Sequence, residues 1–221
     1  MNALRTTFRL TTRFDLALDV ATALHRDQQR KGTGGRSTSY VSHLLAVAAI
    51  AMADDPDEDV AIAALLHDGP EDQGGRKTLE AISQLFGPRV AHIVDACTET
   101  LRTRKPKWVP RKRRFIRRLS RTRDRQVLLV NCADCLANAR DTLADYRRIK
   151  GRVWSRFHSM PCATNQLWWY VSCRNGLVRI RDTQAFLQFD EVVARLVQEV
   201  EPCRNPGHDH VPSPPLRSLP A

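Results

Sequence analysis

The stretch Leu65-Leu66-His67-Asp68-Gly69-Pro70-Glu71-Asp72 sets an imidazole beside a carboxylate, with a second pair of carboxylates just beyond, at the end of the apolar run from Val60 to Leu66. Taking an ionised carboxylate out of water without a partner is heavily penalised. A divalent cation satisfies His67 and Asp68 together. Alone, such a dipeptide is more often a solvated or hydrogen-bonded pair than a metal site. Its company changes the balance: His43 follows Ser39-Tyr40-Val41-Ser42, and Asp134 lies in Asn131-Cys132-Ala133-Asp134-Cys135-Leu136-Ala137-Asn138. His43, His67, Asp68 and Asp134, drawn from three helices, make a ligand cage. Pro70 does not continue a helix easily, so Glu71 and Asp72 are expected on a turn beyond it, reaching over the metal. A solvated acidic pair is their plain alternative.

These side chains need a scaffold, and its periodicity is helical throughout. Phe14, Leu16, Ala17, Val20, Ala21, Leu24 and His25 give a first amphipathic helix ending near Gln29. The glycine-rich loop after it begins with Arg30 and Lys31, cations beside flexible backbone that could hold a phosphate or a base. Tyr40 to Met52 reads as a second helix carrying His43. A third, capped by Asp55 or Asp57, carries His67 and Asp68, with Glu58 and Asp59 suiting its dipole. Thr78 is expected to cap a short helix ending at Phe86-Gly87, and Pro88 opens another. His92, in that helix, has no ligand context and reads as structural.

The segment 102–125 is crowded with cations, while Phe115, Ile116 and Leu119 keep helical spacing. That is an amphipathic helix with a basic outer face, which is more often simply solvated but is able to steer an anionic substrate or to bind nucleic acid. From Val127 the next helix is apolar nearly all round, so Asp134 inside it needs a partner. Asn138 lies at i+4 and shares its face. The aromatics Trp168, Trp169 and Tyr170 read as core packing, and Phe186 to Val200 as a last helix. No strand alternation, internal repeat or glycine-rich nucleotide loop accompanies these patterns, and an all-α bundle is expected.

With 221 residues, one compact domain is expected at 14–201, between a flexible tail at 1–13 and a proline-rich disordered tail at 202–221. The net charge of +11 points to polyanionic company, which could be nucleic acid, a membrane surface or a highly phosphorylated small molecule. The longest apolar run, Leu44 to Ala53, falls short of the ~20 residues a bilayer crossing takes. The irregularly spaced cysteines, Cys132 and Cys135 of a C-x-x-C included, read as reduced packing thiols in a cytoplasmic protein.

Ala23-Leu24-His25, Arg30-Lys31, Tyr40-Val41-Ser42-His43, Ala64-Leu65-Leu66-His67-Asp68 with Glu71-Asp72, Phe86-Gly87 with Val90, and Ala133-Asp134 with Asn138 form a combined pattern over residues 14–180. It resembles the HD-domain metal-dependent phosphohydrolases, and among them the (p)ppGpp hydrolase branch. The resemblance implies an HD-domain helical bundle with a divalent metal, typically Mn²⁺, on His43, His67, Asp68 and Asp134. It also implies Glu71 and Asp72 as the pair managing water and protons, Arg30 and Lys31 on the nucleotide, and Asn138 on its ribose or phosphate. The implied reaction removes pyrophosphate from the 3′ position of guanosine tetra- or pentaphosphate. The alternatives are another phosphorylated nucleotide, or a catalytically degenerate relative that binds nucleic acid through its basic helix. The chain departs from the family at Ser39, Gly69-Pro70, Cys135 and Ala137, and in a longer loop after Lys31.

Overall fold

Nine residues, Glu58–Leu66, form the helix on which the rest packs: every side chain from Val60 to Leu66 is fully buried. In the computed structural model, which describes residues 8–30, 38–102, 104–157 and 162–201, this helix is α3. Before it come α1 (Thr12–Leu24) and α2 (Val41–Asp54). The chain continues through α4 (Gly69–Asp72), α5 (Arg76–Phe86), α6 (Pro88–Cys97), α7 (Trp108–Leu119) and α8 (Arg125–Ile149). It ends with α9 (Ala163–Gly176) and α10 (Gln184–Glu199), with 3₁₀ turns at Lys150–Arg156 and Val178–Ile180. Among the described residues the sole extended pairing is an isolated antiparallel bridge between Gln29 and Ser39. The all-α expectation holds.

Helix α3 is short because Asp57 caps its start, accepting from the Asp59 backbone N–H at 2.8 Å, and the chain turns at His67. An apolar surface on all sides has to be covered on all sides, and α1, α2, α6 and α8 do so. Ala17 and Ala21 are the buried residues of α1, small enough to let it lie close. Helix α8 runs through the molecule with α2 and α10 against it, while α7 and α9 pair beside it.

Several local expectations change. Thr11 and Arg13, assigned to the flexible tail, are docked: the Thr11 N–H donates to Glu58, and Arg13 bonds Glu58, Asp59 and the Phe86 carbonyl. Residues 1–7, Lys31 and the proline-rich segment 202–221 lie outside the described residues. His67 and Asp68 sit just past the end of α3 instead of within it, and Glu71 and Asp72 lie on a one-turn helix instead of a turn. The reason is Pro70, which falls in the first turn of α4, where its missing N–H costs nothing. Helix α5 starts before Thr78, whose hydroxyl instead bonds the Gln73 carbonyl.

A glycine conformation makes the corner between α5 and α6. Gly87 closes α5 and opens α6 with φ at +90° and ψ at 168°, a region open essentially to glycine alone that costs another residue about 1–3 kcal/mol. Gly69, where the family usually has an aliphatic residue, is buried, and a Cβ there would lie 3.3 Å from Leu24 Cδ1.

Candidate metal centre and cavity

Three pieces of chain bring the expected ligands together. His43 comes from the first turn of α2, His67 and Asp68 from the bend after α3, and Asp134 from the middle of α8. His67 Nε2 lies 3.0 Å from Asp68 Oδ2 and 3.7 Å from Asp134 Oδ1. His43 Nε2 lies 3.1 Å from Asp134 Oδ1 and 3.6 Å from Asp68 Oδ2. Both imidazoles are buried, and neither Nε2 has a hydrogen-bond partner among the described residues.

The tautomer of His67 follows from its other nitrogen, which lies 2.8 Å from the Ala64 carbonyl oxygen. A carbonyl only accepts, so Nδ1 carries a proton, and Nε2, the nitrogen facing the carboxylates, is the one that would offer a lone pair to a cation. Two orphaned imidazole nitrogens converging with two carboxylate oxygens fit a divalent cation, and His43, His67 and Asp134 place ligand atoms within 4.8 Å of one another. Without a cation, the charges lean on each other. Burial alone would lower the His67 pKa, but the Asp68 and Asp134 carboxylates raise it well above its ordinary value. Burial would raise Asp68 and Asp134, and the two imidazoles hold both carboxyls low instead.

Tyr40 is a member of this centre that pattern reading missed as a site residue. Its phenol donates to Asp68 Oδ2 at 2.6 Å. Burial first, then the Asp68 charge, push that phenol far above its usual range, so it stays a donor. Its ring is stacked on buried His25 at 5.1 Å. The Gln29–Ser39 bridge closes the base of the loop, which brings Arg30 back against Tyr40, its guanidinium 5.8 Å from the ring centre.

Beside these side chains a cavity of about 740 Å³ opens, within the range of roughly 300–1,000 Å³ usual for small-molecule sites. Arg30 lines one side, bonding Asn138 Oδ1 at 3.3 Å and the Asp141 carboxylate. Asn138 in turn donates to Asp134 Oδ1 at 2.5 Å, as the i+4 spacing anticipates. Glu71 faces the same space. It accepts from the Glu99 backbone N–H at 2.8 Å and from Lys105 at 3.0 Å. Burial, with the Glu99 charge adding to it and Lys105 opposing, raises the Glu71 pKa. Asp72 accepts from Gln28 at 2.8 Å and from Lys105 at 3.0 Å.

Sequence reading also missed Gln28, Glu99, Lys105, Arg111, Lys112 and Arg156, all of which line the cavity. For Arg111 and Lys112 the signal was present, in the face they share with Trp108 and Phe115. His92, read as structural, is exposed beside Asp124 and far from this geometry in role. Cys97, Cys132, Cys135 and Cys173 are free thiols, and Cys132 and Cys135 are buried as expected of packing residues. Among the described residues no helix is long and apolar enough to cross a membrane.

The HD domain family matches residues 17–157, and the chain belongs to it. Among proteins of known name, it is 35% identical over 133 residues to the guanosine-3′,5′-bis(diphosphate) 3′-pyrophosphohydrolase MESH1 of Drosophila melanogaster, covering 59% of this chain and 70% of that one. It is 38% identical over 169 residues to the enzyme of the same activity name from Haemophilus influenzae, covering 72% of this chain. A probable GTP pyrophosphokinase of Mycobacterium leprae is 37% identical over 126 residues, or 56% of this chain. The chain spans only 23% and 15% of those two bacterial proteins. Among solved structures, one described as a metazoan ortholog of SpoT that hydrolyzes ppGpp superposes with a TM-score of 0.67 at 27% identity, covering 86% of this chain and 98% of that one. A Listeria monocytogenes EGD-e protein gives 0.59 at 27% identity, covering 74% and 99%.

Proposed function

We propose that this chain is a metal-dependent (p)ppGpp 3′-pyrophosphohydrolase using Mn²⁺. The observation that carries the reading is the pair of buried, partnerless imidazole nitrogens of His43 and His67 facing Asp68 and Asp134 at the end of a cavity of nucleotide size. The relatives named for this activity support the choice of nucleotide. His43, His67, Asp68 and Asp134 are the residues that would hold the metal. When bound there, it supplies Lewis acidity toward a phosphoryl oxygen and makes water more acidic.

The chain's own residues supply the rest. In the reaction, the oxygen of water adds to the phosphorus bonded to the ribose 3′ oxygen, that P–O bond breaks, and pyrophosphate departs. Water gives up a proton and the 3′ oxygen gains one, leaving GDP. Glu71 is assigned the proton transfer, because its raised pKa brings it nearer to neutrality than an exposed carboxyl. Asp72, held by Gln28 and Lys105, positions Lys105 beside Glu71. Arg30 and Asn138 are assigned to the nucleotide, as is Lys31. The free thiols suit a reducing compartment, and we place the protein in the cytoplasm.

The test is turnover of guanosine 3′,5′-bis(diphosphate) by the purified protein with Mn²⁺, beside Asp68→Ala and Asp134→Ala. Wild type is expected to release GDP and pyrophosphate in equal amounts, and both variants to lose bound metal and turnover together. Full turnover in either variant refutes the assignment.

A further inference from the structure

The excess cations of this chain are gathered in one place. Twelve lysines and arginines fall between Thr100 and Arg123 with no acid among them, so this segment carries the whole of the net charge of +11 and the rest of the chain is close to neutral. Helix α7 divides the segment into two faces. Trp108, Arg111, Lys112 and Phe115, at i, i+3, i+4 and i+7, line the cavity, where Arg111 and Lys112 pair with Glu99. Arg113, Arg114 and Arg117 take the outer face and are exposed. None of these three guanidinium groups has an ion pair or a hydrogen bond among the described residues.

Tertiary structure extends that outer face. Arg179 donates to the Ser120 carbonyl at 2.7 Å, and Arg125 donates to the two oxygens of Asp182 at 3.1 and 2.6 Å. The turn between α7 and α8 is thereby tied at both ends to residues 179–182. Arg121 and Arg123 lie within the turn, exposed and without a side-chain partner among the described residues. Arg181 is exposed across from them, beside an Asp182 that Arg125 already engages. Like charges held this close repel one another unless a polyanion lies across them.

We infer that this arginine face binds the sugar-phosphate backbone of a nucleic-acid duplex, on the side of α7 away from the cavity. Guanidinium groups pair bidentately with phosphate oxygens. The surroundings select the partner. A protein interface has an apolar centre, and a membrane surface takes up apolar side chains. Among the described residues the exposed large hydrophobic side chains are Leu16, Leu45, Leu85, Leu187 and Val197, all on α1, α2, α5 or α10. A single strand is held by stacking its bases on aromatic rings, and Trp108 and Phe115 of α7 face the cavity instead. Recognition by charge alone is what a duplex backbone satisfies, whatever its sequence. None of this rests on the hydrolase reading.

The test is fluorescence anisotropy of short labelled RNA and DNA duplexes of mixed sequence, titrated with the full chain over a series of salt concentrations. Wild type is expected to bind with a Kd of about 1–100 µM near physiological salt and to lose affinity steeply as salt rises. Arg113→Gln with Arg117→Gln, and separately Arg121→Gln with Arg123→Gln, should each flatten the slope of log K against log salt by about 2. The two pairs are independent, so one that fails to fold leaves the other. Arg147→Gln with Arg195→Gln removes the same charge elsewhere: Arg147 lies about 33 Å along α8 from Arg125 and pairs with Glu199, one turn after Arg195. That control should keep the wild-type slope. Binding of either duplex supports the surface, and the comparison decides whether the backbone is that of RNA or DNA. No duplex binding even at low salt, or equal slopes in all three variants, overturns the inference. So does tighter binding of a single strand, or of vesicles of phosphatidylcholine and phosphatidylserine, than of either duplex.

Discussion

Replacing Tyr40 by phenylalanine isolates one hydrogen bond at the metal centre. The ring stays, because it is packed on His25 at 5.1 Å and edge-on to His43 at 5.5 Å. Only the O–H that donates to Asp68 Oδ2 at 2.6 Å is removed. A hydrogen bond to a charged acceptor contributes about 1.5–3 kcal/mol, and loss of a group that orients a metal ligand typically lowers metal affinity by about 10–100-fold. Here the same bond is already made without a cation, so part of its loss falls equally on the metal-free protein. The difference between the two states is what affinity reads. The expected result is therefore the lower end, about tenfold weaker binding of Mn²⁺. Calorimetric titration of chelator-stripped Tyr40→Phe against wild type measures it directly. Equal affinities, in a variant with an unchanged far-ultraviolet spectrum, would refute the claim that Tyr40 orients Asp68 for a cation.

Two further expectations concern the scaffold. Asp124 caps α8, accepting from the Gln126 and Val127 backbone N–H groups at 3.1 and 3.2 Å, and pairs with Arg89. Asp124→Ala should cost about 1–2 kcal/mol in a urea melt near neutral pH; no change would remove the cap from the argument. The bonds from Arg89, against the opposing effect of burial, hold its carboxyl down to about 2, from 3.8. A lowered folded pKa adds stability that is complete above the unfolded value and lost as pH falls through the folded one. The gap between wild type and variant should therefore narrow from about pH 4 to about pH 2, and a gap constant across that range would contradict it. Gly87→Ala, at φ +90° and ψ 168°, should lower stability by about 1–3 kcal/mol in the same melt, although the new Cβ would meet nothing within 4 Å.

The chain's own pattern determined the helices and the candidate ligand set. An apolar run such as Val60 to Leu66 has to be buried, and a carboxylate within the apolar helix around Asp134 has to be partnered, so residue type and spacing alone reach His43, His67, Asp68 and Asp134. Register within a helix carried Asn138 to Asp134, because i+4 neighbours share a face in any α-helix. The helix ends were less legible. Pro70 stops one helix and starts another equally well, and which it does depends on how α4 packs after the bend at Asp68. What joins segments distant in sequence was decided only in three dimensions. Tyr40 reaches Asp68 because a bridge between Gln29 and Ser39 closes the loop. Glu71 meets the Glu99 N–H and Lys105 because α6 and the loop after it return to α4. The basic segment is the clearest case. Its composition says that it attracts anions, but a helix has two sides, and only packing against α9 turned Arg111 and Lys112 inward and left Arg113, Arg114 and Arg117 to solvent.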